Sequence, residues 1–138
     1  RLRGLAASVE VQDHVRFLGE MDDATLPSIY NLADIFIMPN RRLEGNDVEG
    51  FGIVFLEASA SGLPVIGGRS GGVPDAVADN ETGMLVDGAD LESVIAAVTG
   101  LLKDPDAARE LGRAGRQRVC SELTWDHSAE RLRALIRS

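Results

Sequence analysis

The sequence predicts an α/β protein built on a Rossmann-like parallel sheet. Short apolar runs at 14–19, 34–39, 63–68 and 84–87 alternate with segments whose apolar residues recur with helical periodicity. The run DIFIMP is continuous and ends in proline, as expected for a strand that a parallel sheet buries on both faces. Strands that alternate with helices are joined by right-handed crossovers, so helices should cover both faces of the sheet.

Cap residues set the expected bounds of the helices. Asp90 and Asp104 are expected N-caps, and Gly62 should end the helix that precedes the third strand. The predicted helices span 1–9, 22–33, 52–61, 73–80, 90–103, 105–121 and 125–137.

The chain is long enough for one domain or most of one, with 138 residues of which 44% are apolar. It begins at Arg1 with RLRGLAASV, which reads as the end of an amphipathic helix, so we expect a fragment of a larger protein. No apolar run reaches the roughly 18 residues that span a bilayer, and no signal-peptide pattern opens the chain. These features predict a cytoplasmic protein.

Cysteine and histidine content predicts neither a disulfide nor a metal site. Cys120 is the single cysteine, and His14 and His127 are far apart in the chain. No metal ion or other cofactor is therefore expected.

Charge narrows the choice of partners. The net charge of −8 argues against nucleic acid, because phosphate binding relies on a basic face. The acidic excess lies before residue 103, and the remaining tail is slightly basic. This tail predicts either a surface that faces an acidic partner or a lipid headgroup layer, or simply a solvated helical face.

Polar, glycine-rich segments follow three of the predicted strands, at Gly19–Asp23, Asn40–Gly50 and Gly67–Gly72. Ligands of open parallel sheets bind outside the carboxyl ends of the strands, so a ligand site is expected here, although ordinary turns contain the same residue types. The segment GGRSGG has neither the GxGxxG spacing of a dinucleotide site nor the GK[ST] ending of a P-loop. A nicotinamide enzyme and a P-loop NTPase are both disfavoured.

The junction EGFGI at 49–53 offers a different phosphate site. Its two glycines let backbone amides approach a ligand where a helix begins, and a helix N-terminus carries unpaired N–H donors and partial positive charge. The alternative is a plain helix start with a flexible entry.

Glu57 stands out within the apolar helix that follows this junction. Its aliphatic neighbours predict that it is buried, and a buried carboxylate needs several donors or must be protonated. A ribose diol would supply two donors, with the diphosphate one turn earlier at the helix start. The alternatives are a glutamate that faces solvent and one that pairs with a distant arginine such as Arg69.

Several motifs, in order along the chain, carry a resemblance to a known family. VRFLGEMDD, EGFGIVFLE, EASASGLPVIGGRSGGVPDAV and NETGMLV lie between about residues 13 and 100. Glu49 and Glu57, with seven residues between them, resemble the EX7E region of GT4-type retaining glycosyltransferases of the GT-B fold. The loop RRLEGNDVEGFGIVFLEA is similar to the PimB-like phosphatidylinositol mannosyltransferase branch, which uses GDP-mannose.

The resemblance implies roles for the junction. Glu49 would contact hydroxyls of the donor sugar and is the expected catalytic residue. Gly50, Phe51, Gly52 and Ile53 would face the sugar and the diphosphate, largely through backbone amides.

The resemblance also implies a nucleoside pocket. Glu57 would hold the ribose hydroxyls, as the burial argument proposes independently, and Met21 and Asp23 would line the nucleobase pocket. An aspartate there can accept hydrogen bonds from guanine N1 and N2. For Asp22 and Asp23 the alternative is helix capping.

The chain lacks the arginine and lysine that bind the donor phosphates in this family. In the family they belong to a strand-loop-helix unit upstream of this chain, and Arg41, Arg42 and Arg69 do not occupy the matching position. Arg41 and Arg42 are more simply read as a loop patch near an anionic acceptor, or as solvated.

By resemblance, residues 1–138 are most of a C-terminal nucleotide-sugar-binding domain that residues 124–138 close as the final helix. The implied reaction transfers a hexose, in particular mannose from GDP-mannose, to a hydroxyl acceptor such as a glycolipid, without a metal ion and with retention at the anomeric carbon. The N-terminal acceptor domain is absent, so this chain alone is expected to be inactive. The complete enzyme is expected to work in the cytoplasm or peripherally at the inner face of the membrane. Rival hypotheses are a non-catalytic nucleotide-sugar-binding module and a GT-B-fold sugar-nucleotide epimerase.

Overall fold

The computed structural model describes residues 1–41 and 51–137. Within these ranges it contains seven α-helices and three strands, which follow each other along the chain as α1 Leu2–Ser8, α2 Leu26–Leu32, β1 Phe36–Met38, α3 Ile53–Ala60, β2 Val65–Gly68, α4 Val73–Ala76, β3 Met84–Val86, α5 Leu91–Lys103, α6 Pro105–Glu122 and α7 Trp125–Arg137. A 3-10 helix, Gln12–His14, lies between α1 and α2.

The strands form a parallel sheet in the order β1-β2-β3, which confirms the predicted α/β class. Ile37 is in register with Ile66, and Gly67 with Leu85. Strand β2 is buried along its whole length, as its central place requires.

Two strand predictions are wrong. Residues 14–19 form no strand: His14 ends the 3-10 helix, and no described segment offers residues 15–19 a neighbouring backbone to pair with. Strand β1 is not buried on both faces: it lies at the edge of the described sheet, and Ile37 is 40% exposed.

The core has two parts, one on each face of the sheet. Adjacent residues of a strand point to opposite faces, and accordingly Val65 belongs to one cluster and Ile66 to the other. The first cluster also contains residues of α3 and α4, and the second contains residues of α5 and α6. Helices therefore cover both faces, as predicted.

Phe55 is the largest fully buried side chain of the first cluster. Its ring packs edge to face against Phe36 of β1, with ring centroids 5.5 Å apart. A Cβ at Gly67 of β2 would lie 3.1 Å from the Phe55 ring, so this helix sits directly on the backbone of the central strand.

Helix α6 crosses the side of the sheet where the strands begin. A Cβ at Gly112 would overlap the carbonyl oxygen of Gly62, and one at Gly115 would lie 3.1 Å from the carbonyl oxygen of Thr82. Gly62 and Thr82 lead into β2 and β3, so α6 closes this side with helix and loop backbones in direct contact.

The carboxyl ends of the three strands meet at the opposite edge. Of the predicted edge segments, those that begin at Asn40 and Gly67 lie here, whereas 19–23 follows no strand. Cβ atoms at Gly68 and Gly88 would both overlap the backbone of Asn40. Gly68 is the last residue of β2, Gly88 follows β3 and Asn40 follows β1, so the carboxyl ends of the strands converge and any ligand at this edge must lie outside them.

Asp79 ties the loop after β2 to strand β3. Its carboxylate accepts from the backbone N–H of Leu85 at 2.9 Å and from Arg69 Nη2 at 2.6 Å. Partial burial raises the pKa of Asp79, but these two partners outweigh it and hold the pKa below its ordinary 3.8.

In the described ranges, none of the helices combines the length and the apolar character that crossing a bilayer requires.

Replacing Gly112 by alanine should lower the free energy of unfolding by about 1–3 kcal/mol, because the added methyl must push α6 away from a rigid backbone. Gly100→Ala is the matched control: it also lies in a helix, but its Cβ would meet nothing within 4 Å. That control should gain roughly 0.5–1 kcal/mol from helix propensity. Urea unfolding measures both, and equal effects of the same sign would contradict the packing argument.

Replacing Asp79 by asparagine should destabilise the fold by about 1–2 kcal/mol at neutral pH, because two partners lose the carboxylate. The lowered pKa means that ionised Asp79 stabilises the fold above its unfolded pKa of about 3.9, and that this stabilisation disappears as the pH falls through the lower folded value. The difference in unfolding free energy between the two proteins should therefore shrink below about pH 4. A difference that is the same at pH 3 and pH 7 would show that the charge is irrelevant.

Candidate functional site

Helix α3 begins at the carboxyl edge of the sheet, and Gly52 sets its direction. Gly52 is the N-cap, with φ 75° and ψ 54°, a left-handed conformation that favours glycine. A Cβ there would also lie 2.8 Å from the Phe55 ring. Backbone conformation and packing therefore both require glycine at position 52, whether or not a ligand approaches it.

Among the described residues, no side chain caps the first turn of α3. Phe51 and Ile53 are exposed on either side of the buried Gly52. Phe51, Gly52 and Ile53 therefore lie at the start of α3, where the helix has unpaired backbone N–H groups of the kind that suits an anion. Glu49 and Gly50, the other predicted residues of this junction, lie outside the described residues.

The predicted burial of Glu57 is wrong. The buried residues of α3 are Phe55, Ala58 and Ser59, and Glu57 is exposed. A helix turns about 100° per residue, so Glu57 lies about 200° around the axis from Phe55. The prediction failed because the exposed face of α3 also carries apolar residues, such as Ile53 at 53% exposure. The sequence therefore suggests burial on every side of the helix.

Of the two alternatives for Glu57, the structure supports exposure to solvent and not pairing with Arg69. Arg69 pairs with Asp79 rather than with Glu57. Instead the hydroxyl of Tyr30, on α2, donates a hydrogen bond to Oε2 of Glu57 at 3.0 Å. Glu57 thus faces solvent with one neutral partner, and its carboxylate remains able to accept from a ligand.

Tyr30 is the site residue that the sequence reasoning did not identify. Its ring packs at 60° to Phe36 with centroids 5.9 Å apart. Partial burial, followed by the hydrogen bond and the charge of Glu57, raises the pKa of Tyr30 to about 12, so the hydroxyl keeps its proton at physiological pH. The sequence did contain a signal for this residue: a tyrosine on the apolar face of a predicted helix. The hydroxyl of a half-buried tyrosine needs a hydrogen-bond partner, which could have directed attention to a nearby polar side chain.

A cavity of about 350 Å³ joins α2 to α3. Its lining includes Asp23, Tyr30 and Glu57, so a residue predicted for the nucleobase and the residue predicted for the ribose share one cavity. Met21 is half-buried and is not part of this lining.

The two aspartates before α2 have different environments. Asp22 accepts from the backbone N–H of Thr25 at 2.7 Å, and hydrogen bonds from Thr25 hold the pKa of Asp22 below its ordinary value. Asp22 therefore closes the turn that leads into α2, whose N-cap is Thr25, whereas the exposed Asp23 faces the cavity.

A second cavity, of about 580 Å³, lies on the other side of Glu57. It runs from Phe51 and Ile53 at the start of α3 to the beginning of α7, where Trp125 is 82% exposed. Glu57 therefore stands between two cavities, one next to α2 and one that reaches the start of its own helix.

Arginine side chains lie elsewhere. Arg41 and Arg69 line a cavity of about 440 Å³ at the carboxyl edge, and Arg42 lies outside the described residues. Within α6, Arg113 and Arg118 lie 3.9 Å from Glu110 and Glu122, and Arg118 also donates to backbone carbonyls at the end of α4. Arg113 thus lies on an exposed face of α6, whereas Arg118 ties α6 to the end of α4.

Among the described side chains, no three of the His, Cys, Asp and Glu residues lie close enough together to hold a metal ion.

Known proteins resemble this chain along nearly its whole length. A GDP-mannose-dependent alpha-(1-6)-phosphatidylinositol monomannoside mannosyltransferase from Mycobacterium tuberculosis is 50% identical over 137 residues, or 99% of this chain and 36% of that protein. A GDP-mannose-dependent monoacylated alpha-(1-6)-phosphatidylinositol monomannoside mannosyltransferase from Corynebacterium glutamicum is 43% identical over 138 residues, again 99% of this chain and 35% of the relative. The chain therefore spans about a third of the length of the curated relatives it matches.

A solved structure agrees with the sequence relatives. Sucrose-phosphate synthase from Thermosynechococcus elongatus has a TM-score of 0.87 to this chain and 34% identity, covering 99% of this chain and 33% of the other. Its likeness places the sheet and helices within the GT-B class of glycosyltransferase folds. The family profile described as "Glycosyl transferases group 1" matches residues 1–118, and the chain belongs to that family.

Proposed function

We propose that this chain is the nucleotide-sugar-binding part of a retaining mannosyltransferase of GT4 type. The complete enzyme takes mannose from GDP-mannose and transfers it to a hydroxyl of a phosphatidylinositol-based glycolipid. Such an acceptor lies in a membrane, so the enzyme works peripherally, at the cytoplasmic face.

One observation carries the proposal: the exposed carboxylate of Glu57 stands one turn from the N-terminus of α3, in a cavity that Asp23 also lines. A helix N-terminus suits a diphosphate, a carboxylate suits a ribose diol, and a second carboxylate suits the N1–H and N2–H donors of guanine. These three groups occur in the order in which a guanosine diphosphate presents its parts. The named activities of the 50% and 43% identical relatives support the same donor.

The electrostatic task in this reaction is to stabilise the negative charge that develops on the departing diphosphate. Preoriented donors are effective there because they need little reorganisation as charge develops. In this chain the amides of Phe51, Gly52 and Ile53 occupy the start of α3. With Glu49 as the partner of the donor-sugar hydroxyls, this junction acts on the sugar and diphosphate, and no metal ion takes part.

The full-length protein, given GDP-mannose and vesicles that contain phosphatidylinositol mannoside, should form a mannosylated lipid with retained anomeric configuration, also in EDTA. Product analysis by mass spectrometry and NMR measures this. Binding of GDP-mannose without product would favour the non-catalytic module, and release of an epimerised sugar nucleotide would favour the epimerase. Residues 1–138 alone should form no product.

Replacing Glu57 by alanine should weaken GDP binding by about 1–3 kcal/mol, because the ribose hydroxyls lose a charged acceptor. A 2′,3′-dideoxy GDP should bind the wild type and the variant almost equally, as measured by calorimetry. Glu92→Ala is the matched control, since Glu92 is an exposed glutamate on α5, across the sheet from α3. The ribose assignment fails if Glu57→Ala weakens both nucleotides to the same extent.

A further inference from the structure

Glu57 alone is poorly suited to hold a ribose. It is an exposed side chain with three rotatable torsions, and fixing such a side chain on ligand binding has an entropic penalty. A site that discriminates between nucleotides needs its carboxylate oriented before the ligand arrives.

Tyr30 provides that orientation. Its hydroxyl donates to Oε2 of Glu57 at 3.0 Å, and within the described residues it is the one hydrogen-bond partner of that carboxylate. The hydroxyl itself is held by ring packing: Tyr30 lies edge-on to Phe36, which lies edge-on to the fully buried Phe55. The orientation of Glu57 is therefore fixed by the core of the domain.

The bond also leaves acceptor capacity for a ligand. A carboxylate has about four lone-pair sites, and a tyrosine hydroxyl donates one hydrogen. Because the hydroxyl stays protonated, it remains a donor and adds no charge beside Glu57. Two ribose hydroxyls can then be accepted by the remaining positions.

From this arrangement we infer that Tyr30 is a positioning residue of the nucleotide site: it acts through Glu57 and increases the preference of the protein for an intact ribose diol. This inference rests on the proposed function, because it requires Glu57 to bind the ribose. The competing explanation is that the Tyr30–Glu57 bond only ties α2 to α3.

The test measures the dissociation constants of GDP and 2′,3′-dideoxy GDP for the full-length protein and its variants. Tyr30→Phe removes the hydroxyl and keeps the ring packing. Asn31→Ala is the matched control, because Asn31 is a polar residue of the same helix whose amide bonds the carbonyl of Pro27 and not Glu57.

Tyr30→Phe should weaken GDP binding roughly three- to tenfold while dideoxy GDP binding stays within about twofold. This is the size of effect expected for one typical hydrogen bond, because the variant loses the orientation of the carboxylate and not the carboxylate itself. Asn31→Ala should match the wild type. The double variant Tyr30→Phe/Glu57→Ala should bind both nucleotides like Glu57→Ala alone, because without the carboxylate the hydroxyl has nothing to position.

Three outcomes would overturn the inference while leaving the proposed function intact: Tyr30→Phe binds both nucleotides like the wild type, it weakens both equally, or its effect adds fully to that of Glu57→Ala. The last two would show that Tyr30 supports the fold rather than the ribose site. If the wild type itself does not distinguish GDP from dideoxy GDP, the ribose assignment of Glu57 is wrong, and the role of Tyr30 fails with it.

Discussion

The packing of Phe55 against the sheet is the interaction on which the rest of the site depends. The ring fills the space above Gly67, where a Cβ would lie 3.1 Å away, and it excludes a Cβ at Gly52. Only glycine fits at position 52, and glycine readily adopts the positive φ that the chain has there, at the residue before α3 begins. The buried ring fixes both where the helix starts and how it is rotated.

That rotation decides what the helix presents to solvent. With Phe55, Ala58 and Ser59 facing the core, Ile53 and Glu57 must lie on the outer face. The outer face borders the two cavities that flank Glu57, and α2 supplies the wall that contains Tyr30 and Asp23. The packing of Phe55 on one side of α3 thus determines that Glu57 faces the cavities on the other side.

The sheet explains why this chemistry collects at one edge. Close backbone contacts of α6 with Gly62 and Thr82 close the side where β2 and β3 begin. The loops after the strands meet around Asn40 on the other side, and α3 starts there as well. Open parallel sheets bind ligands outside the carboxyl ends of their strands, and the proposed nucleotide-sugar site lies at that edge.

The sequence by itself determined the parallel α/β class, the order of the elements after residue 22 and the start of a helix after Gly52, because apolar periodicity, caps and glycines are local signals. It misjudged the strand at 14–19 and the burial of Glu57, since pairing and burial depend on what lies beside a segment in space. Only the tertiary structure decided that Asp22 bonds the turn before α2, that Arg69 pairs with Asp79, and that Tyr30 contacts Glu57. Residues 27 positions apart meet there through the packing of two helices on one sheet, which no short-range pattern encodes.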